Sequence, residues 1–486
     1  MFWGEFNMSI YGNLLKNLIG FSGVKLTSVS EAIGYDVSYI SRWCNKETLP
    51  TIRASSEINS ILADFFSCEI SEHGDLEDFS DIFSVQVSTE NLSSIIYDLL
   101  KNAYKTSIKV KNPTSVNLLN DASHAITSEK EIEQFFNQNL SEILSSYNEP
   151  LDIYCTLEIC SFLQDNLFNF LENWEPEFDV HIRMALDEDT VTQNTAYLTK
   201  LYKFIDSHGH LFLDFYDYKP MHSMNTLIVK NHLAVICALK PNNKILAATI
   251  ITETEKVNEL YYHIISAFNS CNLLITTTTA ADFYTKDYRA NFYVKDNYQI
   301  FLSHGFEFLL PDTCWPSLYK KAYNQGEYII NMVNYIRVTW EEIFEKGVID
   351  FFIKKSSLMD YIETGDIIFG CLSYTLTPKQ RKDHVLNVLN VLKKNPNIHF
   401  YIIDNEQEMN TSVYLNPRTL FMKNLSLLYS DGTMLFHSVL SEKIVQKTHR
   451  FYEDLKAQPY CHKYTAEDVE KLYTKHSTLI YRMIDL

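Results

Sequence analysis

The amino-acid sequence predicts a multidomain α+β protein, with an all-α domain at its N-terminus and a large α/β body built from an internally duplicated unit. Its 486 residues are enough for about two to four domains. Apolar residues recur at helical spacing in residues 8–66, and strand patterns alternate with helix patterns from about residue 150 onward. A short stretch of sequence also occurs twice within the second region, which indicates a repeat.

Residues 1–66 are predicted to form a compact domain of four short helices. Each helix carries apolar residues three or four positions apart: Leu14, Leu15 and Leu18; Val29 and Ile33; Val37, Ile40 and Trp43; and Ile58, Ile61, Leu62 and Phe65. Gly34 supplies the sharp turn that ends the second helix, and Asp36 is placed to cap the third. This spacing locks two short helices together across a tight turn, which is the helix-turn-helix arrangement.

Residues 67–147 are expected to join this domain to the body. The stretch 67–82 is acidic and weakly apolar, so it is interpreted as a linker. Helical segments near 88–104 and 128–147 flank a polar stretch around 112–127. They fit either a helical connector or a dimerisation element.

The body is divided on the basis of its repeated sequence. Thr226–Asn231 (Thr-Leu-Ile-Val-Lys-Asn) matches Thr419–Asn424 (Thr-Leu-Phe-Met-Lys-Asn), and a turn and a strand follow each of them. We therefore predict a first α/β copy over 148–279, an inserted or connecting segment over 280–345, and a second copy over 346–486. The alternative is a chance likeness between two ordinary β-meanders, since such hairpin sequences are common.

Charge and cysteine content restrict where the protein acts and how. The net charge is −19, which is unfavourable for a protein that contacts phosphate groups. Residues 1–66 hold five basic side chains against six acidic ones, so a single copy would bind nucleic acid poorly and a homodimer is expected. Nine scattered cysteines without a CxxC pair indicate free thiols in a reducing compartment. Neither a signal peptide nor a membrane-spanning stretch is evident, so we expect a soluble cytoplasmic protein without a membrane partner.

The segment Thr27–Trp43 (Thr-Ser-Val-Ser-Glu-Ala-Ile-Gly-Tyr-Asp-Val-Ser-Tyr-Ile-Ser-Arg-Trp) resembles the lambda-repressor-like, Xre-type helix-turn-helix family. The resemblance covers about one-eighth of the chain and implies that the third helix enters the major groove of double-stranded DNA. It implies base contacts from Ser38, Tyr39 and Arg42, and phosphate contacts from Ser41, Asn45 and Lys46. Arginine can bond guanine through two parallel hydrogen bonds, and hydroxyl groups serve either role.

Two positions depart from the family pattern. Ser30 stands where a small residue is usual, and Lys46 stands where glycine is usual. The alternative to DNA binding is a small four-helix domain that contacts another protein.

The duplicated body resembles, more faintly, the phospholipase D superfamily. Enzymes of that superfamily need a His-x-Lys-x4-Asp motif in each half, with the histidine as nucleophile. If the repeated sequence occupies the motif strand, the motif positions hold Met224, Thr226 and Asn231 in the first copy, and Pro417, Thr419 and Asn424 in the second. The resemblance then implies a non-catalytic body without cofactor or metal.

These observations favour a transcriptional regulator whose body dimerises and responds to a small-molecule or peptide effector. The sequence also leaves open an enzyme acting on phosphodiesters, or a defence-type interaction protein whose DNA-binding domain regulates its own gene. It contains no GxGxxG, GxxxxGK[ST], GxSxG or HExxH motif.

Overall fold

The fold is known from a computed structural model of the chain. It describes residues 9–45, 48–73, 76–83, 85, 87–88, 91–111, 123–162, 168–172, 174, 176, 178–241, 243–286, 297–404, 410–425 and 434–485. The chain separates into two compact units: Met1–His124 with Gln138–Ser146, and Ala125–Asn137 with Tyr147–Leu486. The predicted class is confirmed, with an N-terminal helical region and a large mixed α/β body.

The first six helices of the described chain belong to the helical unit: α1 (Ile10–Ser22), α2 (Leu26–Ile33), α3 (Val37–Asn45), α4 (Ile52–His73), α5 (Leu76–Phe83) and α6 (Leu92–Lys111). Helices α4, α5 and α6 contribute buried apolar side chains to the same core as α1–α3. The helical unit therefore extends well beyond residue 66.

The interpretation of residues 67–82 as a linker is wrong for most of that stretch. Residues up to His73 continue α4, and α5 begins at Leu76. Ile70 and Phe79 are fully buried in the helical core. On the same two helices the described acidic side chains lie nearer the surface: Asp78 is exposed and Glu69 is half-buried. Averaging the composition over the segment hides the apolar period of each helix.

The body contains helices on both faces of one sheet, together with a separate two-stranded sheet. Its helices are α7 (Glu129–Gln134), α9 (Ile159–Phe162), α10 (Asn169–Glu172), α11 (Glu188–Gln193), α12 (Thr195–Ser207), α13 (Thr254–Asn269), α14 (Ala280–Lys286), α15 (Trp315–Tyr323), α16 (Glu327–Lys346), α17 (Lys355–Thr364), α18 (Pro378–Lys394), α19 (Glu442–Lys456) and α20 (Ala466–Ile484). Helix α8 (Leu140–Leu144) lies between α7 and α9 in the chain but belongs to the helical unit.

The strands of the main sheet are β1 (Ser123–Ile126), β2 (Leu151–Cys155), β3 (Val180–Leu186), β4 (Phe212–Asp217), β5 (Thr226–Val229), β6 (Leu233–Leu239), β7 (Ile245–Ile251), β8 (Leu273–Thr279), β9 (Asn297–Leu302), β10 (Val348–Lys354), β13 (Ile398–Ile403), β14 (Thr411–Leu415), β15 (Leu420–Asn424), β16 (Leu435–Val439) and β17 (Cys461–Tyr464). The separate hairpin consists of β11 (Asp366–Phe369) and β12 (Leu372–Thr375).

The order of strands in the sheet confirms the internal duplication. Within the described residues the order is β1-β7-β6-β5-β2-β3-β4-β8-β16-β15-β14-β9-β10-β13-β17. After β1, the first seven strands have the same order and directions as the last seven, with β9, β10 and β13 in the places of β2, β3 and β4. We call β2–β8 repeat 1 and β9–β17 repeat 2, without β11 and β12.

This topology corrects the predicted boundaries of the second copy. Repeat 2 begins with β9 at Asn297, inside the segment 280–345 that was expected to lie outside both copies. Strand β9 pairs in parallel with β10 and antiparallel with β14, as β2 pairs with β3 and β5. The helices α15 and α16 of that segment form the connection between β9 and β10.

The two repeats run in opposite directions within the sheet. Five antiparallel pairings separate β4 from β9, namely β4–β8, β8–β16, β16–β15, β15–β14 and β14–β9. The carboxyl ends of β2, β3 and β4 therefore lie at the opposite edge of the sheet from those of β9, β10 and β13. Strand β8 lies at the end of the first set of seven strands, and β16 lies at the start of the second set. The two repeats therefore meet through edges that are not equivalent, which is a heterologous contact.

Candidate DNA-binding surface

The turn between α2 and α3 is fixed by local hydrogen bonds. Gly34 ends α2 with φ 68°, a left-handed conformation that glycine adopts without strain. The Tyr35 backbone N–H donates to the Ser30 carbonyl oxygen at 3.2 Å, and the Ser30 hydroxyl donates to the Tyr35 carbonyl oxygen at 2.5 Å. Ser30, which departs from the family pattern, therefore ties α2 to the turn.

Asp36 starts α3, as the sequence predicts. Its Oδ1 accepts a hydrogen bond from the Ser38 backbone N–H at 2.9 Å, which satisfies one of the free amides at the start of the helix. Hydrogen bonds from the Ser38 side chain and backbone lower the pKa of the Asp36 carboxyl. The first turn of α3 thus has a defined position relative to α2.

One face of α3 is held in the helical core. Ile40, Trp43 and Cys44 are buried there. Helix α1 passes very close to α3, because a Cβ atom at Gly12 would lie 2.1 Å from the Trp43 carbonyl oxygen. Any larger residue at position 12 would push the two helices apart, so this glycine sets the distance between them.

Helix α6 holds α1 and the start of α4 through buried hydrogen bonds that the sequence did not reveal. The Tyr11 backbone N–H donates to the Ser107 hydroxyl at 2.7 Å, and the Tyr104 hydroxyl donates to the Pro50 carbonyl oxygen at 2.8 Å. The Tyr11 hydroxyl donates to Asn59 Oδ1 at 2.8 Å. Each of these buried hydroxyl groups has a hydrogen-bond partner. The hydrogen bonds therefore fix how α1, α4 and α6 pack behind α3.

The opposite face of α3 presents the predicted contact residues. Ser38, Tyr39, Arg42 and Asn45 are exposed, and Ser41 is half-buried. Lys46 lies outside the described residues. The structure therefore places five of the six predicted residues on α3, with their side chains distributed along its accessible face.

Two of these side chains are already engaged on α3. The Arg42 guanidinium lies over the Tyr39 ring, 5.8 Å from its centroid. The Asn45 side-chain amide donates to the Ser41 carbonyl oxygen at 3.0 Å. An arginine stacked on an aromatic ring loses less conformational freedom when it binds, which suits a contact to a base or a phosphate.

The alignment of the two copies that the repeated sequence predicts is wrong by one strand. Thr226–Val229 forms β5, whereas Leu420–Asn424 forms β15, which takes the place of β6. The strand equivalent to β5 is β14. The sequence Met-Asn-Thr-x4-Asn at Met224–Asn231 recurs at Met409–Asn416. This was the signal that could have found the correct alignment.

The second set of motif positions moves accordingly to Met409, Thr411 and Asn416, and Met409 lies outside the described residues. The Thr411 hydroxyl donates to Asp206 Oδ1 of repeat 1 at 2.5 Å. In the first set, the Thr226 hydroxyl donates to the Met224 carbonyl oxygen at 2.6 Å. Pro417 and Thr419 instead lie within the turn between β14 and β15, and the Asn424 side-chain amide donates to the Asp206 carbonyl oxygen at 3.0 Å.

The two motif strands lie far apart. Seven strand spacings separate β5 from β14 in the sheet, which corresponds to about 34 Å at roughly 4.8 Å each. Their equivalent ends also lie at opposite edges of the sheet. The motif positions of the two repeats are therefore not brought together into a shared site.

Repeat 2 contains a buried ion pair that the sequence did not predict. Lys423 Nζ lies 2.6 Å from Glu307 Oε2 and donates to the Ile368 carbonyl oxygen at 3.0 Å. The Tyr414 hydroxyl donates to the other Glu307 oxygen. A cavity of about 10 Å³ adjoins this group, with room for about one water molecule. Small-molecule sites are usually about 300–1,000 Å³, so this cavity is too small for an effector in the present conformation.

No described helix combines the length and apolar character needed to cross a membrane. In the part of the chain that the structure describes, no three His, Cys, Asp or Glu side chains are grouped to bind a metal ion. All nine cysteines lie outside disulfide bonds, and six of them are buried: Cys44, Cys155, Cys160, Cys237, Cys314 and Cys461.

No family model and no curated protein matches the chain. Among solved structures, it is similar to TrmBL2, described as an archaeal chromatin protein with a novel mode of DNA binding; the match covers 39% of this chain and 71% of that one, at 12% identity and a TM-score of 0.21. It is also similar to phosphatidylserine synthase from Haemophilus influenzae Rd KW20, over 76% of this chain and 98% of that one, at 10% identity and a TM-score of 0.23. These likenesses are too distant to assign a family.

Proposed function

We propose that this protein is a sequence-specific DNA-binding transcriptional regulator in which α3 enters the major groove of double-stranded DNA. The observation that carries the proposal is the accessible polar face of α3, where Ser38, Tyr39, Arg42 and Asn45 are exposed. The first turn of such a helix is the part that reaches base edges, and here Asp36 and Gly34 fix it in place.

Base contacts are assigned to Ser38, Tyr39 and Arg42, and phosphate contacts to Ser41, Asn45 and Lys46. Arg42 is the strongest candidate for sequence reading, because its guanidinium can form two parallel hydrogen bonds to guanine. Because the Arg42 guanidinium lies over the Tyr39 ring, its side chain has fewer conformations to lose when it binds.

The body is proposed to be a sensing and dimerisation module rather than an enzyme. The residues at the phospholipase D-type motif positions are Met224, Thr226 and Asn231 in repeat 1, and Met409, Thr411 and Asn416 in repeat 2. None of these is a nucleophile of the kind that motif requires. The separation of about 34 Å between the motif strands also argues against a shared catalytic site.

The effector would be a small molecule or a peptide that changes the placement of two DNA-binding domains in a homodimer. We propose a cytoplasmic location, because nine cysteines outside disulfide bonds suit a reducing compartment.

The test is genome-wide DNA occupancy of the wild type beside an Arg42→Ala variant. We expect the wild type to occupy discrete sites and the variant to lose them. Arg450→Ala is the matched control, because Arg450 is an exposed arginine on α19 of the body and its removal changes the net charge equally. Occupancy that survives Arg42→Ala, or that falls equally with Arg450→Ala, would exclude α3 as the reading element.

A further inference from the structure

The connection between the first two strands differs greatly between the repeats. In repeat 1, residues 156–179 join β2 to β3 and contain the four-residue helices α9 and α10. In repeat 2, residues 303–347 join β9 to β10 and contain the helical hairpin α15–α16, in which α16 is 20 residues long. Because repeat 1 folds with the short connection, the fold does not itself require the hairpin.

The hairpin exposes large apolar side chains. On α16, Tyr328, Tyr335 and Val338 are 43%, 44% and 53% exposed, and Tyr323 at the end of α15 is 76% exposed. Tyr328, Asn331, Tyr335 and Val338 are spaced by three, four and three residues, so they lie along one face of α16. We call these four residues the tyrosine stripe. Its spacing is that of the a and d positions of a helix that packs along another helix.

We propose that the tyrosine stripe is the homodimer interface and that it packs antiparallel against the tyrosine stripe of a second copy. This inference rests on the proposed function, in which two DNA-binding domains must act together. A two-fold axis midway between Asn331 and Tyr335 would place Tyr328 opposite Val338 of the second copy. The same axis would place Asn331 opposite Tyr335, where an amide and a phenol can hydrogen-bond.

The chemistry of the stripe fits a second copy of this acidic chain. The stripe contains no charged residue, so two molecules of net charge −19 can approach there without placing like charges directly in contact. Glu341, which is close to the stripe in sequence, is paired with Arg337 at 2.9 Å. Tyrosine is also among the residues most enriched in protein interfaces.

The exposed apolar area is of the size that a stable dimer needs. At the exposures given above, Tyr328, Tyr335 and Val338 of the stripe, together with Tyr323 at the end of α15, offer on the order of 400 Å² per copy. A standard interface buries about 800 Å² per partner, of which somewhat more than half is apolar. The hairpin therefore supplies most of the apolar part, and its own exposed side-chain amides at Gln325, Asn331 and Asn334 can supply polar contacts.

The test compares the solution mass of the full-length chain with that of two charge-matched variants, by light scattering at micromolar concentration. The first variant carries Tyr335→Glu and Val338→Glu in the stripe. The control carries Leu472→Glu and Leu479→Glu on α20, the helix that follows β17, where the two leucines are 42% and 56% exposed. We expect the wild type and the control to have twice the mass of one chain, and the stripe variant to have the mass of one chain.

A wild type with the mass of one chain, a stripe variant that remains dimeric, or a control that also dissociates would each overturn the proposal. If the glutamate variant fails to fold by circular dichroism, Tyr335→Ser with Val338→Ser replaces it and the same masses are expected. DNA binding is measured separately on a duplex with one half-site. If the chain is not a dimer but still binds this duplex, the interface is contradicted and the proposed function is not. If the chain is a dimer but binds no DNA, the proposed function is contradicted and the interface is not.

The antiparallel register has its own test in a Cys68→Ser background, which removes an exposed native thiol. Asn331→Cys protein mixed with Tyr335→Cys protein should form a disulfide-linked mixed dimer on oxidation, while neither variant does so when oxidised separately. Crosslinking of each variant with itself but not with the other would indicate a parallel pair and overturn the register.

Discussion

Repeat 1 and repeat 2 share seven strands in the same order, yet they place very different chemistry at equivalent positions. Thr226 faces Ile236 across β5 and β6, and Thr411 faces Asn424 across β14 and β15. By this register, the buried Lys423 of repeat 2 corresponds to Val235 of repeat 1. The fold can therefore be built with an apolar residue where repeat 2 holds a buried ammonium group.

The ion pairs of the two repeats show the same contrast. In repeat 1, Arg183 pairs with Asp152 at 2.9 Å, with side chains 24% and 36% exposed. In repeat 2, Lys423 pairs with Glu307 at 2.6 Å, with side chains only 3% and 10% exposed. A pair near water contributes little, while a buried pair is costly to form and more costly to break. The two repeats therefore share one architecture, but loss of the ion pair is expected to destabilise repeat 2 more than repeat 1.

The largest expected effect is on the buried pair. Lys423→Met leaves the Glu307 carboxylate buried without its counter-charge, and we expect the free energy of unfolding to fall by about 3–5 kcal/mol. Adding Glu307→Gln should recover most of that loss. Urea unfolding of the wild type, the single and the double variant measures both effects, and a single variant as stable as the wild type would contradict the role of the pair.

The next effect concerns acid sensitivity at the contact between the repeats. His437 on β16 is fully buried, and burial lowers its pKa to about 4. In the unfolded chain the imidazole binds a proton near pH 6.5, so the folded state loses stability as the pH falls from about 6.5 towards 4. The equivalent position in repeat 1 is Ile251. We expect His437→Ile to reduce that loss by about 3 kcal/mol in unfolding experiments across this pH range.

The remaining acid sensitivity of a His437→Ile protein belongs to other groups. His208 and His384 are also buried, with pKa values lowered to about 4. A pH dependence identical to that of the wild type would show that His437 does not titrate as a buried neutral imidazole.

The smallest effect is expected at the half-buried pair of repeat 1. Arg183→Met removes the contact to Asp152 and the position of the guanidinium over the Tyr154 ring, 4.9 Å from its centroid. We expect a loss of about 1 kcal/mol or less by urea unfolding. If Arg183→Met lowered the free energy of unfolding as much as Lys423→Met, the proposed difference between the ion pairs of the two repeats would be contradicted.

Sequence patterns were most informative where the governing interaction is local. Gly34 and Asp36 shape the turn and the first turn of α3 through contacts within a few residues, so their roles and the exposed face of α3 could be predicted. The positions of Ser38, Tyr39, Arg42 and Asn45 follow from the same helical period. The stacking of Arg42 on Tyr39 depends on side-chain conformation and was not predictable from that period.

The arrangement of the body depends on long-range pairing, which local patterns do not carry. The sequence predicts the duplication but not β9, because the Thr-Leu sequence that occurs twice lies at β5 and β15, which are not equivalent strands. Lys230 and Lys423 then appeared equivalent, although Lys230 is a partly exposed residue 4.0 Å from Asp152 and Lys423 is buried. The pairing of Lys423 with Glu307 spans 116 residues and has no local signature.

The central claim is that the accessible face of α3 reads a DNA sequence, and selection from a random pool of duplexes with purified protein tests it most directly. We predict that the wild type enriches one motif with two related half-sites about one helical turn apart, or a multiple of it. Arg42→Ala should enrich no motif, while Arg450→Ala should enrich the wild-type motif. A wild type that enriches no sequence, or an Arg42→Ala variant that enriches the same motif, would contradict the account.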